Sequence, residues 1–81
     1  MKVRIHLFAG ARAAIGQPVL ELELPEGCTV GTLQELLSQR YPQAAPLLRS
    51  SVIAVNQQYA HQTTRLSEAQ EIAIIPPVSG G

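Results

Sequence analysis

Residues 71–81 read Glu-Ile-Ala-Ile-Ile-Pro-Pro-Val-Ser-Gly-Gly: an apolar strand-like run, two prolines and an end of small residues. Neither Pro76 nor Pro77 can donate a ladder hydrogen bond, so the strand is predicted to stop before them, and their fixed φ angles make the exit stiff. Gly80 and Gly81 lack a Cβ, so this backbone can enter a narrow slot. From Pro77, an extended tail would carry the Gly81 carboxylate roughly 15 Å, which suits delivery into another protein's active site. Terminal glycines alone often carry no function, so the rest of the chain has to decide.

Two strands and one long helix are predicted before this stretch. Residues 3–7 and 19–24 alternate apolar and polar side chains, which indicates two strands that pair as a hairpin. The helix is predicted to begin at Thr29 as its N-cap and to end before Pro42. Its apolar stripe is formed at helical spacing by Val30, Leu33, Leu36 and Leu37. Its polar side is formed by Gln34, Glu35, Ser38 and Gln39.

The remaining segments are shorter. Residues 9–16 are rich in alanine and predict one or two helical turns. Residues 43–51 are interrupted by proline, and only a core contact through Leu47 and Leu48 is expected there. Residues 52–55 form a short apolar strand, which ends in a turn that starts at Asn56.

This order of elements predicts an α+β fold, the ubiquitin-like β-grasp. It consists of a mixed four- or five-stranded sheet with one main helix packed on one face. The first and last strands are then central, parallel neighbours, so the tail emerges from the middle of the sheet. We assign residues 1–75 to the β-grasp domain and residues 76–81 to an extended C-terminal Gly-Gly tail.

The two final strands are apolar on both faces, which is typical of a sheet that is covered on both sides. The chain supplies only one good helix, which covers one face. Phe8 also breaks the alternation of the first strand, because it falls on the polar parity. Phe8, Ile75 and Val52 are therefore predicted to form an apolar patch on the uncovered face, and its simplest cover is another protein.

Composition excludes several classes of function. Six basic residues balance six acidic ones and are scattered along the 81-residue chain, which argues against binding to nucleic acid or to a membrane. Cys28, the single cysteine, is expected to be a buried apolar residue. The sequence has no catalytic triad pattern, no phosphate-binding glycine loop and no metal-ligand spacing, so no metal and no bound cofactor are expected. Without a signal or transmembrane segment, the expected location is cytoplasmic.

Three blocks of the sequence form a recognisable pattern. The first is Phe8-Ala9 followed by Arg12 and Gly16, and the second is Ala-Val-Asn-Gln at residues 54–57. The third spans residues 66–81 and ends in Pro-Pro-Val-Ser-Gly-Gly, which is the most specific of the three. Together these blocks resemble the small subunit of molybdopterin synthase, a β-grasp sulfur carrier, and the resemblance covers nearly the whole chain.

The resemblance implies a mechanism in two stages. A ubiquitin-activating-type adenylyltransferase uses ATP to join the Gly81 carboxylate to AMP, and a sulfur donor converts it to a thiocarboxylate. The tail then enters the large subunit, where the sulfur attacks cyclic pyranopterin monophosphate in molybdenum cofactor biosynthesis. The family's complex is a heterotetramer, and the general acid–base groups belong to the large subunit, so this chain has no complete active site alone. Gly81 carries the sulfur, and the residues that insert with it are Pro76, Pro77, Val78, Ser79 and Gly80.

Three residues are candidates for the partner interface: Phe8 and Ile75, from the apolar patch, and Arg12, whose charge could pair with an acidic group of a partner. Two departures from the family pattern are Ala13, in place of an acid, and Ala69-Gln70, in place of Gly-Asp. Ala69 argues against a left-handed turn there, since alanine tolerates positive φ poorly. Three alternatives stay open: a thiamine-pathway sulfur carrier, a ubiquitin-like protein modifier, and a plain binding module with an idle tail.

Overall fold

The computed structural model describes residues 1–77. Five strands and three α-helices follow in this order: β1 Lys2–Leu7, α1 Ala9–Ile15, β2 Val19–Glu23, α2 Val30–Arg40, α3 Ala45–Ser50, β3 Val52–Val55, β4 Gln58–Tyr59 and β5 Glu71–Ile75. A 3-10 turn at Pro42–Ala44 leads into α3. Among these residues, no helix has the length and apolar character needed to cross a membrane.

The strands form one mixed sheet in the order β2-β1-β5-β3-β4. β1 pairs with β2 as an antiparallel hairpin and with β5 in parallel, while β3 lies antiparallel to both β5 and β4. The predicted β-grasp fold, the hairpin and the parallel pairing of first and last strands are therefore confirmed. β5 is the central strand, so both of its edges are hydrogen-bonded.

One face of the sheet packs against the helices and forms the core. Alternate residues of the central strands are completely buried, and α2 contributes Leu33 and Leu37 from its apolar stripe. The Thr29 hydroxyl accepts a hydrogen bond from the Thr32 amide at 3.3 Å, which confirms the predicted N-cap. The strand residues of this core are Val3, Ile5, Leu7, Leu20, Leu22, Ile53, Ile72 and Ile74.

The expected polar side of α2 is partly wrong. Gln34 and Ser38 are buried, because α3 packs against this helix. The Gln34 side-chain amide donates to the carbonyls of Leu48 and Ser51 at the end of α3, at 2.7 and 3.0 Å. Gln62 in turn donates to Gln34 Oε1 at 2.7 Å. The burial of Gln34 is therefore offset by hydrogen bonds that tie α2 to α3 and to the loop after β4.

The turn before β5 also differs from expectation. Ala69 has a φ of 64°, so the left-handed conformation that the sequence argued against is present. Three contacts hold the turn: Ala69 N donates to Lys2 O at 3.1 Å, Lys2 N donates to the Glu68 carboxylate, and Ser67 N donates to Gln70 Oε1 at 2.7 Å. The tertiary contacts with β1 thus outweigh the local preference of alanine.

Candidate functional site at the exit of the central strand

The tail begins where the central strand ends. β5 stops at Ile75, Pro76 is half-buried and Pro77 is exposed. The predicted sulfur-bearing residue Gly81 and the predicted insertion residues Val78, Ser79 and Gly80 lie outside the described residues. The described chain therefore shows where the tail begins.

An apolar surface lies beside this origin. We call it the tail-exit surface, formed by Phe8, Val52, Ile75, Pro76 and Pro77. Ile75 pairs with Val52 across β5 and β3, and Phe8 directly follows Leu7, which pairs with Ile74. Since Leu7 and Ile74 point into the core, alternation directs Phe8, Ile75 and Val52 to the face opposite the helices.

Exposure of these side chains agrees with that placement. Phe8 is 50% exposed and Val52 is 46% exposed, while Ile75 is half-buried. Large apolar side chains in a row across three strands are unusual on a free surface. The structure brings the three residues together as the sequence predicts, and their role as a partner interface stays a prediction.

The turn after β1 sets the direction of Phe8. Its backbone is extended (φ −126°, ψ 156°), and its carbonyl accepts from the amides of Ala11 and Arg12 at 3.1 and 3.3 Å, which starts α1. Ala9 has a φ of 48°, and α1 ends at Gly16 in the left-handed conformation. The Phe-Ala-x-x-Arg-x-x-x-Gly block is thus a complete short helix with both of its ends, and it presents Phe8 at its start.

Arg12, the third predicted interface residue, is exposed on α1 one helical turn after Phe8. It forms no ion pair with a carboxylate of residues 1–77. Its guanidinium is therefore accessible to a partner. No contact within the described chain explains why an arginine occupies this position.

The Ala-Val-Asn block positions the start of β5. Asn56 and Gln57, with φ angles of 49° and 69°, form the two-residue turn between β3 and β4. This is the type I′ geometry, which favours asparagine at its first position. The Asn56 amide donates to Glu71 O at 2.8 Å, and Asn56 Oδ1 accepts from Glu71 N at 3.0 Å. Asn56 thereby clamps the first residue of the strand that carries the tail.

A groove that sequence reasoning missed runs along the same sheet face from Phe8 to this turn. Its volume is about 320 Å³, and its lining comes from β1, β5 and the β3–β4 turn: His6, Phe8, Gln57, Glu71, Ile72 and Ala73. His6 Nε2 and Glu71 Oε2 are 2.8 Å apart. One feature of the sequence could have indicated this groove: in the central strand, the small residue Ala73 stands between two large apolar residues.

Cys28 has no role in this site. Its side chain is buried at the start of α2, and its thiol donates a weak hydrogen bond to Thr29 O at 3.6 Å. Burial raises the pKa of the Cys28 thiol, since desolvation disfavours the thiolate. The prediction of a small buried apolar residue is confirmed. Within residues 1–77, no group of three potential ligand side chains is placed to hold a metal ion.

Comparison with known proteins gives a family match along nearly the whole chain. Residues 5–81 match the ThiS family. The "Molybdopterin synthase sulfur carrier subunit" of Dictyostelium discoideum is 41% identical over 81 residues, covering 96% of this chain and 94% of that protein.

Two solved structures have the same fold. The small archaeal modifier protein 1 of Methanosarcina acetivorans superposes with a TM-score of 0.81 at 30% identity, covering 99% of this chain and 96% of that one. A chain of the complex of subunits 1 and 2 of the molybdopterin-converting factor from Helicobacter pylori superposes with a TM-score of 0.71 at 23% identity, covering 100% of both chains.

Proposed function

The chain belongs to the ThiS family, and from that premise we propose that it is the sulfur carrier subunit of a molybdopterin synthase. The observation that carries the proposal is the origin of the tail. It leaves the central strand of the sheet beside exposed Phe8 and Val52, so a partner that covers this surface also receives the tail.

The proposed chemistry takes place at the Gly81 carboxylate. A carboxylate is a poor electrophile, because oxide is not a leaving group. A ubiquitin-activating-type adenylyltransferase therefore transfers AMP from ATP to this carboxylate and releases pyrophosphate. A donor that supplies sulfur at the sulfide level attacks the acyl-adenylate, AMP leaves, and the terminus becomes a thiocarboxylate.

Sulfur transfer then requires the second subunit. The tail enters the large subunit, and the terminal sulfur attacks cyclic pyranopterin monophosphate to form a thioester with the carrier. Water then cleaves the acyl–sulfur bond, which leaves the sulfur on the pterin and returns the Gly81 carboxylate. The dithiolene needs two sulfur atoms and hence two loaded tails. The proposed assembly is a heterotetramer of two carriers and two large subunits. The large subunit supplies the acid–base groups and binds the substrate. The proposed location is the cytoplasm, where reducing conditions preserve a thiocarboxylate.

Selective alkylation of the loaded chain tests this proposal. The purified chain is incubated with ATP, a sulfur source and a cell extract, and is then treated with N-ethylmaleimide under native conditions. Because Cys28 is buried and its thiol pKa is raised, alkylation should mark the thiocarboxylate alone. The measurement is the mass of the C-terminal peptide, and the marked peptide separates sulfur loading from oxidation of Met1 or Cys28, which adds nearly the same mass.

The controls are omission of ATP and a variant that lacks Gly80 and Gly81. Both should abolish the C-terminal label. An unlabelled terminus in an extract that loads a known carrier of this family would contradict the proposal. Capture of the large subunit by the loaded chain then assigns the pathway to molybdenum rather than thiamine.

A second candidate function is protein modification. It is favoured by the 30% identity to the structure of a small archaeal modifier protein. In that case the activated Gly81 would form an isopeptide bond with a lysine of another protein. Proteomic detection of Gly81 attached to lysine side chains, dependent on ATP and lost without the two glycines, would support this function.

A further inference from the structure

The groove beside Phe8 has the chemistry of a binding site for one side chain. At about 320 Å³ it lies at the small end of the roughly 300–1,000 Å³ range of ligand pockets. Phe8 follows the last residue of β1, Gln57 lies in the turn beside the start of β5, and Ala73 lies between them along the groove. Ala73 pairs with His6 in β1 and with Ala54 in β3, so two small side chains lie next to each other and leave a depression beside His6.

Among residues 1–77, Glu71 is the one carboxylate that lines the groove, beside His6, and no lysine or arginine lines it. In the strand register Glu71 lies opposite Arg4, yet its carboxylate reaches His6, two residues nearer to Phe8. The carboxylate is thereby turned along the groove. The His6 ring is hydrogen-bonded to Glu71 Oε2, and Glu71 Oε1 forms no hydrogen bond within residues 1–77.

Gln57 adds a second acceptor at the cost of backbone strain. A non-glycine residue with a φ of 69° is disfavoured, and glycine is the usual residue at this position of a type I′ turn. Glycine would remove a side chain that lines the groove. The sequence therefore retains an amide at this rim against the local preference of the turn.

We propose that this groove receives an arginine side chain of the partner subunit; the proposal rests on the function proposed above. The arginine stem packs on the Phe8 ring, and the guanidinium pairs with Glu71 Oε1 and donates to the Gln57 carbonyl oxygen. A planar group with several donors fits a carboxylate and an amide at once, and its apolar stem covers an aromatic ring. Lysine offers a compact charge and no planar face, and so fits less well. The groove is continuous with the tail-exit surface through Phe8.

The first test uses the full chain alone. The probe is N-acetyl-arginine amide, and the control is N-acetyl-citrulline amide, which has nearly the same shape and no charge. In amide NMR spectra, the arginine probe should shift the signals of Phe8, Gln57 and Ala73, and Glu71→Gln should remove these shifts. Glu71→Gln keeps the acceptor for His6, and Asn56 still clamps the backbone. Equal shifts with citrulline, or none with arginine at tens of millimolar, would overturn the proposal.

The second test measures binding to the large subunit by calorimetry. Glu71→Gln should weaken binding roughly five- to tenfold at low salt and less at high salt. Ala73→Val, which fills the groove with a residue that strands favour, should weaken it by a similar factor. The matched control is Glu21→Gln, because Glu21 is an exposed acid on the same sheet face outside the groove. Unchanged binding in both groove variants, or an equal loss in the Glu21 control, would contradict the proposal.

The two tests also separate this proposal from the proposed function. The NMR titration needs neither the tail nor a partner, so it reports on the groove alone. A chain that is loaded with sulfur but ignores the arginine probe refutes the groove and leaves the carrier function intact. A chain that binds the probe but is never loaded refutes the carrier function.

Discussion

Replacement of Phe8 by glutamate tests whether Phe8 contacts a partner or belongs to the core. A phenylalanine side chain has on the order of 200 Å² of surface, so the 50% exposure of Phe8 leaves about 100 Å² for a partner to cover. At about 25 cal/mol per Å², that area corresponds to about 2.5 kcal/mol of binding free energy, or about 70-fold in Kd. Interfaces recover only part of such an area term. Loss of the ring alone should therefore weaken association with the large subunit by about 10- to 70-fold.

The glutamate adds two further penalties to binding. Its carboxylate would be desolvated by the partner, and it would lie in the same groove as the Glu71 carboxylate. We therefore expect the Kd of Phe8→Glu to rise by more than about 70-fold. The folded domain should lose only about 1 kcal/mol, since Phe8 is not part of the core cluster and its helix-starting contacts come from the backbone carbonyl.

The assay is a binding titration and a urea melt on the same variant. The control is Leu36→Glu on α2, in the helical layer on the opposite side of the sheet, where a partly buried leucine packs against the core. That control should lower the free energy of unfolding and leave binding unchanged. Phe8 is a packing residue, and the interface assignment is wrong, in either of two cases. In the first, Phe8→Glu lowers the free energy of unfolding by as much as it lowers the binding free energy. In the second, Leu36→Glu weakens binding as much as Phe8→Glu does.

Three other changes have defined outcomes. Deletion of Gly80 and Gly81 should abolish sulfur transfer without altering the melting temperature by calorimetry; a large drop would mean that these residues stabilise the fold. Ala69→Gly should raise the free energy of unfolding by about 0.5–1 kcal/mol, because glycine adopts a φ of 64° without strain. The control, Ala13→Gly inside α1, should lower the free energy of unfolding by a similar amount. A chemical melt in which both variants change this free energy in the same direction would refute the strain argument. Because the pKa of the Cys28 thiol is raised, maleimide should react with it more slowly in the native chain than in urea at the same pH, and equal rates would contradict its burial.

The local periodicity of the sequence was sufficient to predict most of the strands and α2. Residues 3–7 alternate because one face of β1 is buried, and Thr29 is a helix cap whatever packs around it. The resemblance to the molybdopterin synthase small subunits is confirmed by the ThiS family match and by the relative at 41% identity. Phe8 was identified by parity alone, since a large aromatic residue on the polar face of a strand needs an explanation.

What the sequence did not predict depends on contacts between distant residues. α3 was missed because Pro46 reads as a helix breaker, yet it lies in the first helical turn, where its missing amide has no partner to lose. Gln34 looked like a solvent-facing residue, and it is buried because the end of α3 supplies two carbonyl acceptors. The groove was missed because Glu71 and Gln57 are brought together by the Asn56 clamp, which acts across 15 residues of chain.

The contacts at the start of β5 fix the point at which the tail begins. Asn56 holds Glu71 from the β3 side, and the strained turn at Ala69 is hydrogen-bonded to Lys2 at the beginning of β1. β5 is then paired along both edges up to Ile75. A register shift of β5 would break both ladders and both clamps together, so contacts along both edges hold the register of this strand. The distance from the tail-exit surface to the end of the tail is therefore set by the residues after Ile75, and changes in that segment should alter sulfur delivery without altering the fold.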